Sequence, residues 1–310
     1  MRQHGVRDII TLIMETFQAI TRENILSLRP YFGMQTSRLC DNTIGAVYQW
    51  RNNYRSYFCT FAELLCIRAG SQEKGYHYVF PLGSGDPTGA LDMIEANAAA
   101  TGSPLRYAAV PEQVLGILQA RYGARMRAEN PRDWADYLYT CEQFLTYGGK
   151  ALHTQRNHVN RFLRENPNAE TLVITEDLLP ACMDFLEDYE NRSPEMSATE
   201  RGEIAGTRDL LLLRQELGQS AYCLMAAGRV IALSIGEVVG DTLFVHAEKA
   251  NTDFAGIYPA MAQSFVKHAA GDAIYVNRED DAGDLGLRYS KTNYRPTQML
   301  EKYRVTVAPT

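Results

Sequence analysis

A chain of 310 residues with 45% hydrophobic and 22% charged content is long enough for two packed cores, at about 150 residues each. The net charge of -6 excludes a surface coated uniformly in basic residues, so a polyanionic partner would have to be met by a local basic face. No stretch approaches the roughly 20 apolar residues of a membrane span. The first apolar run, Ile9 to Met14, closes at Glu15 with the wrong length and flanks for a signal peptide. Cys40, Cys59, Cys66, Cys141, Cys182 and Cys223 form no C-x-x-C pair and read as reduced core residues. The expectation is a soluble, cytoplasmic protein without a transmembrane segment.

In chain order, Ile9, Leu12, Ile13 and Phe17 share one helical face over Asp8 to Ala19. Thr43 to Trp50, Tyr57 to Phe61 and Leu64 to Arg68 carry aromatic and β-branched residues between polar breaks, a pattern that predicts an antiparallel meander. Tyr76 to Leu82 reads as a fourth strand. Gly83-Ser84-Gly85-Asp86-Pro87 then opens a helix to Ala100, with Asp86 as its cap and Pro87 in its first turn. Free N–H groups at such a helix start can hold phosphate or carboxylate, but a plain strand-to-helix turn needs the same residues. A strand at Leu105 to Val110, a helix from Pro111 to Arg121 and a strand around Arg125 to Arg127 complete the first half. Asn130-Pro131-Arg132-Asp133 marks the boundary, giving expected domains at 1–132 and 133–310, with Trp134 to Tyr139 a strand of either.

The second half opens with the basic amphipathic helix Gly148 to Asn166. Leu152, Val159, Phe162 and Leu163 gather on one side, and Lys150, Asn157, Arg161 and Arg164 on the other. Gly149-Lys150 is no phosphate-binding P-loop, because Phe144 stands where the earlier glycine is required and Ala151 where a Ser or Thr is. Leu178 to Tyr189 predicts a helix, and Ser197 with Glu200 forms a capping box for another that runs to Leu217 and stops at Gly218. Ala221 to Ala226, Val230 to Ile235 and Thr242 to Glu248 are strands joined at Gly228 and Gly240-Asp241. A helix from Gly256 to Ala270 presents Ile257, Met261, Phe265 and Val266, and Ala273 to Val276 is a short buried strand. That strand ends in the charge burst Asn277-Arg278-Glu279-Asp280-Asp281, before a helix near Asp284 and a last strand from Met299 to Val307.

Both halves thus show a meander, a helix, a strand, a helix and a strand, a duplication carried by element order alone. Polar groups crowded at the carboxyl end of a buried strand are held rigidly where a ligand can reach them. A solvated loop with surface ion pairs is the alternative reading of the same charge run.

GKALHTQRNHVNRF (Gly149 to Phe162), HAEKANTDFAGIYPAMAQSF (His246 to Phe265) and NREDDAGDLGLRYSKTNYRP (Asn277 to Pro296) resemble the phosphatidylglycerol lysyltransferase carboxy-terminal domain family, formerly a domain of unknown function. The resemblance covers most of the chain and is most specific from Gly148 onward. It implies an α/β (α+β) fold of two tandem GNAT-like acyltransferase domains, each a mixed, mostly antiparallel sheet flanked by helices, with the active site in the second. It also implies transfer of an aminoacyl group from aminoacyl-tRNA to a lipid or small-molecule acceptor. Acyl-CoA enzymes of the GNAT type usually carry an R-x-x-G-x-G/A loop for the pyrophosphate. Here that junction, Glu248 to Gly256, holds one glycine and no arginine. Aminoacyl-tRNA is therefore the expected donor, met by a local basic face, with acyl-CoA the alternative and no tightly bound cofactor.

Aminoacyl transfer needs a proton acceptor, a stabilised oxyanion and an anchor for the donor's α-amino group. Glu248, Asp280 and Lys291 are the expected catalytic residues. Arg156, Asn157, His158, Asp253, Asn277, Arg278, Asp281 and Tyr294 are expected to bind substrate. Lys291 and Tyr294 are spaced for one helix face. His246 lies two residues before Glu248, which in a regular strand puts both on one side of the sheet. No third ligand stands at a telling spacing, so no metal is expected there. Two other functions fit the same residues: an acyl-CoA-dependent N-acyltransferase, and a catalytically silent module whose crevice only binds.

Overall fold

The computed structural model describes residues 17–309. The helix expected over Asp8 to Ala19 lies almost wholly outside them, and its last described residues form strand β1 (Gln18–Ala19) instead. The chain divides into two units. One holds the residues up to Ala135 together with those from Glu301 onward, and the other is Asp136–Leu300.

In the first unit, helix α1 (Ile44–Tyr54) replaces the strand expected at Thr43 to Trp50. The Thr43 hydroxyl caps it by accepting from the Ala46 N–H at 3.3 Å, and Ile44 and Tyr48, one turn apart, are both buried. Capping and i,i+4 burial outweigh the β propensity of the stretch. Then come β2 (Ser56–Phe61), β3 (Leu64–Ser71), β4 (Gly75–Tyr78), β5 (Leu82–Gly83), α2 (Thr88–Ala100), β6 (Leu105–Pro111), α3 (Glu112–Tyr122) and β7 (Met126–Glu129). Asp86 accepts from the Thr88 N–H at 3.1 Å at the start of α2. The sheet order is β1-β2-β3-β4-β6, then Lys302–Val307, then β7, with β5 on β3.

The second unit contains β8 (Asp136–Thr140), α4 (Cys141–Thr146), α5 (His153–Glu165), β9 (Glu170–Val173), α6 (Leu179–Asn191), α7 (Ala198–Leu212), β10 (Ser220–Ala226), β11 (Arg229–Val239), β12 (Thr242–Ala250), α8 (Ile257–Ala269), β13 (Tyr275–Asn277), α9 (Leu285–Asn293) and β14 (Gln298–Leu300). Its sheet runs β14-β8-β13-β12-β11-β10-β9. The last strand expected, Met299 to Val307, is two strands: β14 pairs with β8, whereas β15 (Lys302–Val307) pairs with β6 and β7. The domain expected at 133–310 therefore gives up its carboxyl end to the first unit, where β15 finds its hydrogen-bond partners.

Helix α8 lays Ile257, Met261, Phe265 and Val266 against Leu243, Val245 and Val276 of the second sheet. Burial of each such side chain contributes about 1.5–3 kcal/mol. Helix α5 buries Val159 and Phe162, with Leu152 buried just before it, but Leu163, expected on that face, is 54% exposed, and Gln155 takes an inner position instead.

Two irregularities shape the sheet around the charged loop. First, the β11–β12 register slips between Ile235 and Gly236, so that His246 is an extra residue in β12. A bulge of this kind reverses the in-out alternation beyond it. Leu243, Val245 and Ala250 accordingly belong to one core cluster, although Val245 and Ala250 are an odd number of residues apart. Glu248 shares that face, while His246 points to the other with Phe244; the expectation that they face one side fails at the bulge. The bulge needs Gly236, where an added Cβ would lie 1.9 Å from the Phe244 carbonyl oxygen. Gly236→Ala is expected to destabilise the chain by about 1–3 kcal/mol through overpacking, read as a lowered melting temperature.

Second, β12 and β13 pair in parallel only where Thr242 to Phe244 face Tyr275 to Asn277, although β12 runs on to Ala250 beside β11. Among the described residues no strand covers the other edge of β12 from Val245 onward. The charged loop leaves β13 at this opening.

Candidate active site

Arg278 and Glu279, the first residues past β13, straddle the opened edge of β12. Arg278 Nη2 donates to Glu248 Oε1 at 2.9 Å. Glu279 Oε1 lies 3.0 Å from His246 Nδ1, and His246 Nε2 lies 3.1 Å from Glu237 Oε1. Neighbours in sequence thus serve opposite faces of the sheet. The turn is held in an uncommon backbone state, since Glu279 has φ 58°, which costs on the order of 1–3 kcal/mol unless its surroundings enforce it. Here the Glu279 N–H donates to Asn277 Oδ1 at 2.6 Å, and Asn277 Nδ2 donates to Asp136 Oδ2 at 2.9 Å. Asn277, expected to bind substrate, is fully buried in setting this turn.

The Arg278 guanidinium lies 4.8 Å from the Tyr294 ring centroid and 5.6 Å from that of Phe144. Those two rings stack at 5.5 Å, with Tyr139 edge-on to Phe144 at 5.3 Å and Tyr147 tilted against Tyr294 at 6.1 Å. Arg278 Nη1 is buried and has no hydrogen-bond partner. A buried unpaired donor is costly. Burial pushes the Glu248 carboxyl above its ordinary range, against the pull of Arg278, Lys291 and Lys249. The Arg278 and Glu248 side chains are 12% and 7% exposed, so their charges act in a dry setting where electrostatic effects are strong.

Lys291 comes from α9, whose start is capped by Asp284 Oδ1 accepting from the Leu287 N–H at 2.6 Å. Its ammonium is buried, donates to the Asp280 carbonyl oxygen and lies 5.8 Å from the Tyr137 ring centroid. Burial and the nearby Arg278 charge lower its pKa. The Tyr139 hydroxyl donates to the Lys291 carbonyl at 2.7 Å, fixing the last turn of α9. Tyr294, just past that turn, is 5% exposed.

Asp280 Oδ1 accepts from the Ala282 N–H at 3.0 Å, while its backbone carbonyl takes the Lys291 ammonium. Asp281 is fully engaged: Arg288 grips both its oxygens at 2.9 Å, and the Tyr137 hydroxyl and Gly283 N–H donate at 2.7 and 3.0 Å. Burial would raise its pKa, but these donors hold it at about 2. Asp281→Asn is expected to lower the melting temperature at pH 7 by more than at pH 3. A carboxyl whose pKa is depressed on folding contributes stability above its unfolded value near 4, and loses it as pH falls toward 2.

Four expected substrate residues stand apart. Arg156 Nη1 donates to the Tyr147 and Gly149 carbonyls at 2.5 and 3.3 Å, and thereby ties α5 to the turn that carries the Tyr147 ring. Asn157 and His158 are exposed on α5, with Asn157 bonded to His153 at 3.3 Å. Asp253, 70% exposed, pairs with Arg192 at 2.8 Å. No hydrogen bond or ion pair among the described residues links these four to Glu248, Arg278 or Lys291. The sequence places Glu279 in the charged run without a role of its own, and does not single out Glu237, Phe144, Tyr139 or Tyr147. A glycine followed by a glutamate inside the apolar run of β11 was the available sign of a bulge and a buried charge.

A family model described as phosphatidylglycerol lysyltransferase, C-terminal, matches residues 35–306. The chain belongs to this family. Its fold is that of the family, two tandem GNAT-like domains, each with a mixed sheet flanked by helices. The solved structure of a conserved protein of unknown function from Bacteroides thetaiotaomicron is 28% identical, with a TM-score of 0.86 over 94% of this chain and 99% of that one. The C-terminal domain of a putative lysylphosphatidylglycerol synthetase from Agrobacterium fabrum superposes with a TM-score of 0.67 over 92% of each chain at 14% identity, a likeness of fold. An uncharacterised protein of Mycoplasmoides gallisepticum is 24% identical over 174 residues, which make up 56% of each chain; the match thus spans little more than half of that relative. Among the described residues no helix is long and apolar enough to cross a membrane.

Proposed function

We propose that the second unit transfers an aminoacyl group from aminoacyl-tRNA to a hydroxyl or amine of a lipid or small-molecule acceptor. The observation that supports this reading is the buried Arg278–Glu248 pair at the opened β12–β13 edge, with the buried Lys291 ammonium close enough to be felt electrostatically by both, which a silent surface module would not need. The acceptor attacks the ester carbonyl carbon. Its proton passes to Glu248, whose raised pKa suits a base that must later give the proton back, and from there to the ribose oxygen as the carbonyl–ribose bond breaks. Arg278 Nη1 and the Lys291 ammonium face the charge that develops on the carbonyl oxygen. Asp280 holds the donor's α-ammonium.

The junction before α8 supports an aminoacyl rather than an acyl-CoA donor. Gly256 caps α8 with φ 81°, and an added Cβ there would lie 2.1 Å from the His158 carbonyl oxygen. The glycine serves close packing of α5 on α8, not a phosphate cradle.

The test offers the purified protein labelled aminoacyl-tRNAs and acyl-CoAs with lipid and amine acceptors. Label moving from at least one charged tRNA to an acceptor is the expected result. Transfer from acetyl-CoA and from no charged tRNA would sink the reading in favour of an N-acyltransferase.

A further inference from the structure

The outer face of the first unit's sheet carries a groove of about 460 Å³ lined by His77, Arg106, Arg125, Arg127, Glu129 and Arg304. Strand register builds it. Thr306 of β15 pairs with Arg106 of β6 on one side and Arg127 of β7 on the other, and Arg304 pairs with Glu129. Cross-strand partners share a face, so these side chains stand together, while Tyr107 and Val305 point into the core. Among the described lining residues, four arginines stand with one carboxylate, Glu129. Glu129 lies 2.8 Å from Arg127 and 2.5 Å from Arg304, and among the described residues Arg106 makes no ion pair. On a chain of net charge -6, this is a local concentration of positive charge.

We propose that this groove binds the phosphodiester backbone of RNA, seating the tRNA part of the donor; in that role it rests on the aminoacyl-tRNA reading above. Three features favour RNA over an anionic membrane. The cations are all arginines, whose planar fork grips phosphate oxygens in pairs. The surface is concave, which fits a strand of phosphates better than a bilayer plane. Among the described residues no large apolar side chain lines it, whereas a membrane-binding face inserts Trp, Phe or Leu.

The experiment measures binding of deacylated tRNA, and separately of phosphatidylglycerol vesicles, to the full chain and to Arg106→Ala, Arg127→Glu and the double variant across a salt series. The Arg127 side chain is 79% exposed, so Arg127→Glu leaves the fold intact. The double variant is expected to bind tRNA at least ~10-fold more weakly, with the log–log salt slope shallower by about 0.7–0.9 per lost phosphate contact. Unchanged tRNA affinity, no tRNA binding by the wild type, or a loss confined to vesicle binding would each overturn the proposal. Aminoacyl-adenosine, which has no phosphodiester, separates the two readings. If wild type and double variant use it equally while tRNA affinity is unaffected, the groove proposal falls and the transferase reading stands. If neither uses it nor charged tRNA, yet the double variant loses tRNA binding, the groove stands and the transferase reading falls.

Discussion

Arg278→Met is expected to slow transfer by about 10²–10³, the cost of removing one preorganised oxyanion donor, and to lower stability as well. The substitution removes the donor at Nη1 and also strips Glu248 of its partner at 2.9 Å. Breaking a buried pair from one side costs about 3–5 kcal/mol, mostly the penalty for the charge left behind. Glu248 escapes part of that penalty by taking up a proton, since burial already holds its pKa high. Combining Arg278→Met with Glu248→Gln should therefore recover much of the stability and none of the rate. Melting temperature and single-turnover rate, measured on both single variants and the double, check this. A double variant that regains transfer would show that the pair only props up the fold.

The second large effect is on stability against pH. His246 is fully enclosed between Glu237 and Glu279; burial alone would lower its pKa, but the two carboxylates raise it to about 9. A histidine whose pKa rises on folding contributes stability that is fully present below its unfolded value near 6.5 and is lost as pH rises through 9. The loss between those limits is on the order of 3 kcal/mol. Denaturation midpoints from pH 6 to pH 9.5 should fall for the wild type and stay nearly level for His246→Gln, which is less stable at pH 6. A wild-type midpoint that rises across this range would contradict the assignment of charge to His246.

Much of the second unit was legible because its signals are local. The Ser197–Glu200 capping box forms with bonds of 2.7 and 3.2 Å, and the glycine turns between β10, β11 and β12 lie where the sequence places them. The short helix α4 was missed despite its Thr140–Gln143 capping box, because six residues carry too little periodicity to separate it from a loop. Strand β9 is four residues long with none of them buried, so there is no alternation to find. The stretch Thr43 to Trp50 misled through composition, since Val47, Tyr48 and Trp50 favour strands until a partner claims Ile44 and Tyr48 on one helical face. The split of the final strand at Glu301 could not be seen at all, because alternation sets which side chains point inward and is silent on which sheet supplies the partner.

The candidate site divides in the same way. Arg278, Lys291 and Glu248 stand out as charges in a conspicuous run or at a strand end; Arg278 and Glu248 pair at 2.9 Å, and the Lys291 ammonium is buried on the Asp280 carbonyl. The bulge that turns His246 away from Glu248 depends on a two-against-one register between β11 and β12, which no single strand encodes. Asp281 looks like its neighbour Asp280 in sequence, yet its full set of donors makes it a brace, whereas Asp280 meets the Lys291 ammonium through its backbone carbonyl.

The most direct test of the central claim is a single-turnover competition. Protein in excess is mixed with one labelled aminoacyl-tRNA and labelled acetyl-CoA in the presence of lipid and amine acceptors, for the wild type and for Glu248→Gln. With the wild type the aminoacyl label is expected to move to an acceptor, Glu248→Gln to slow this step by about 10²–10⁴ as expected for loss of a general base, and the acetyl label to stay on CoA. Acetyl transfer by the wild type with the aminoacyl label left on its tRNA would contradict the claim.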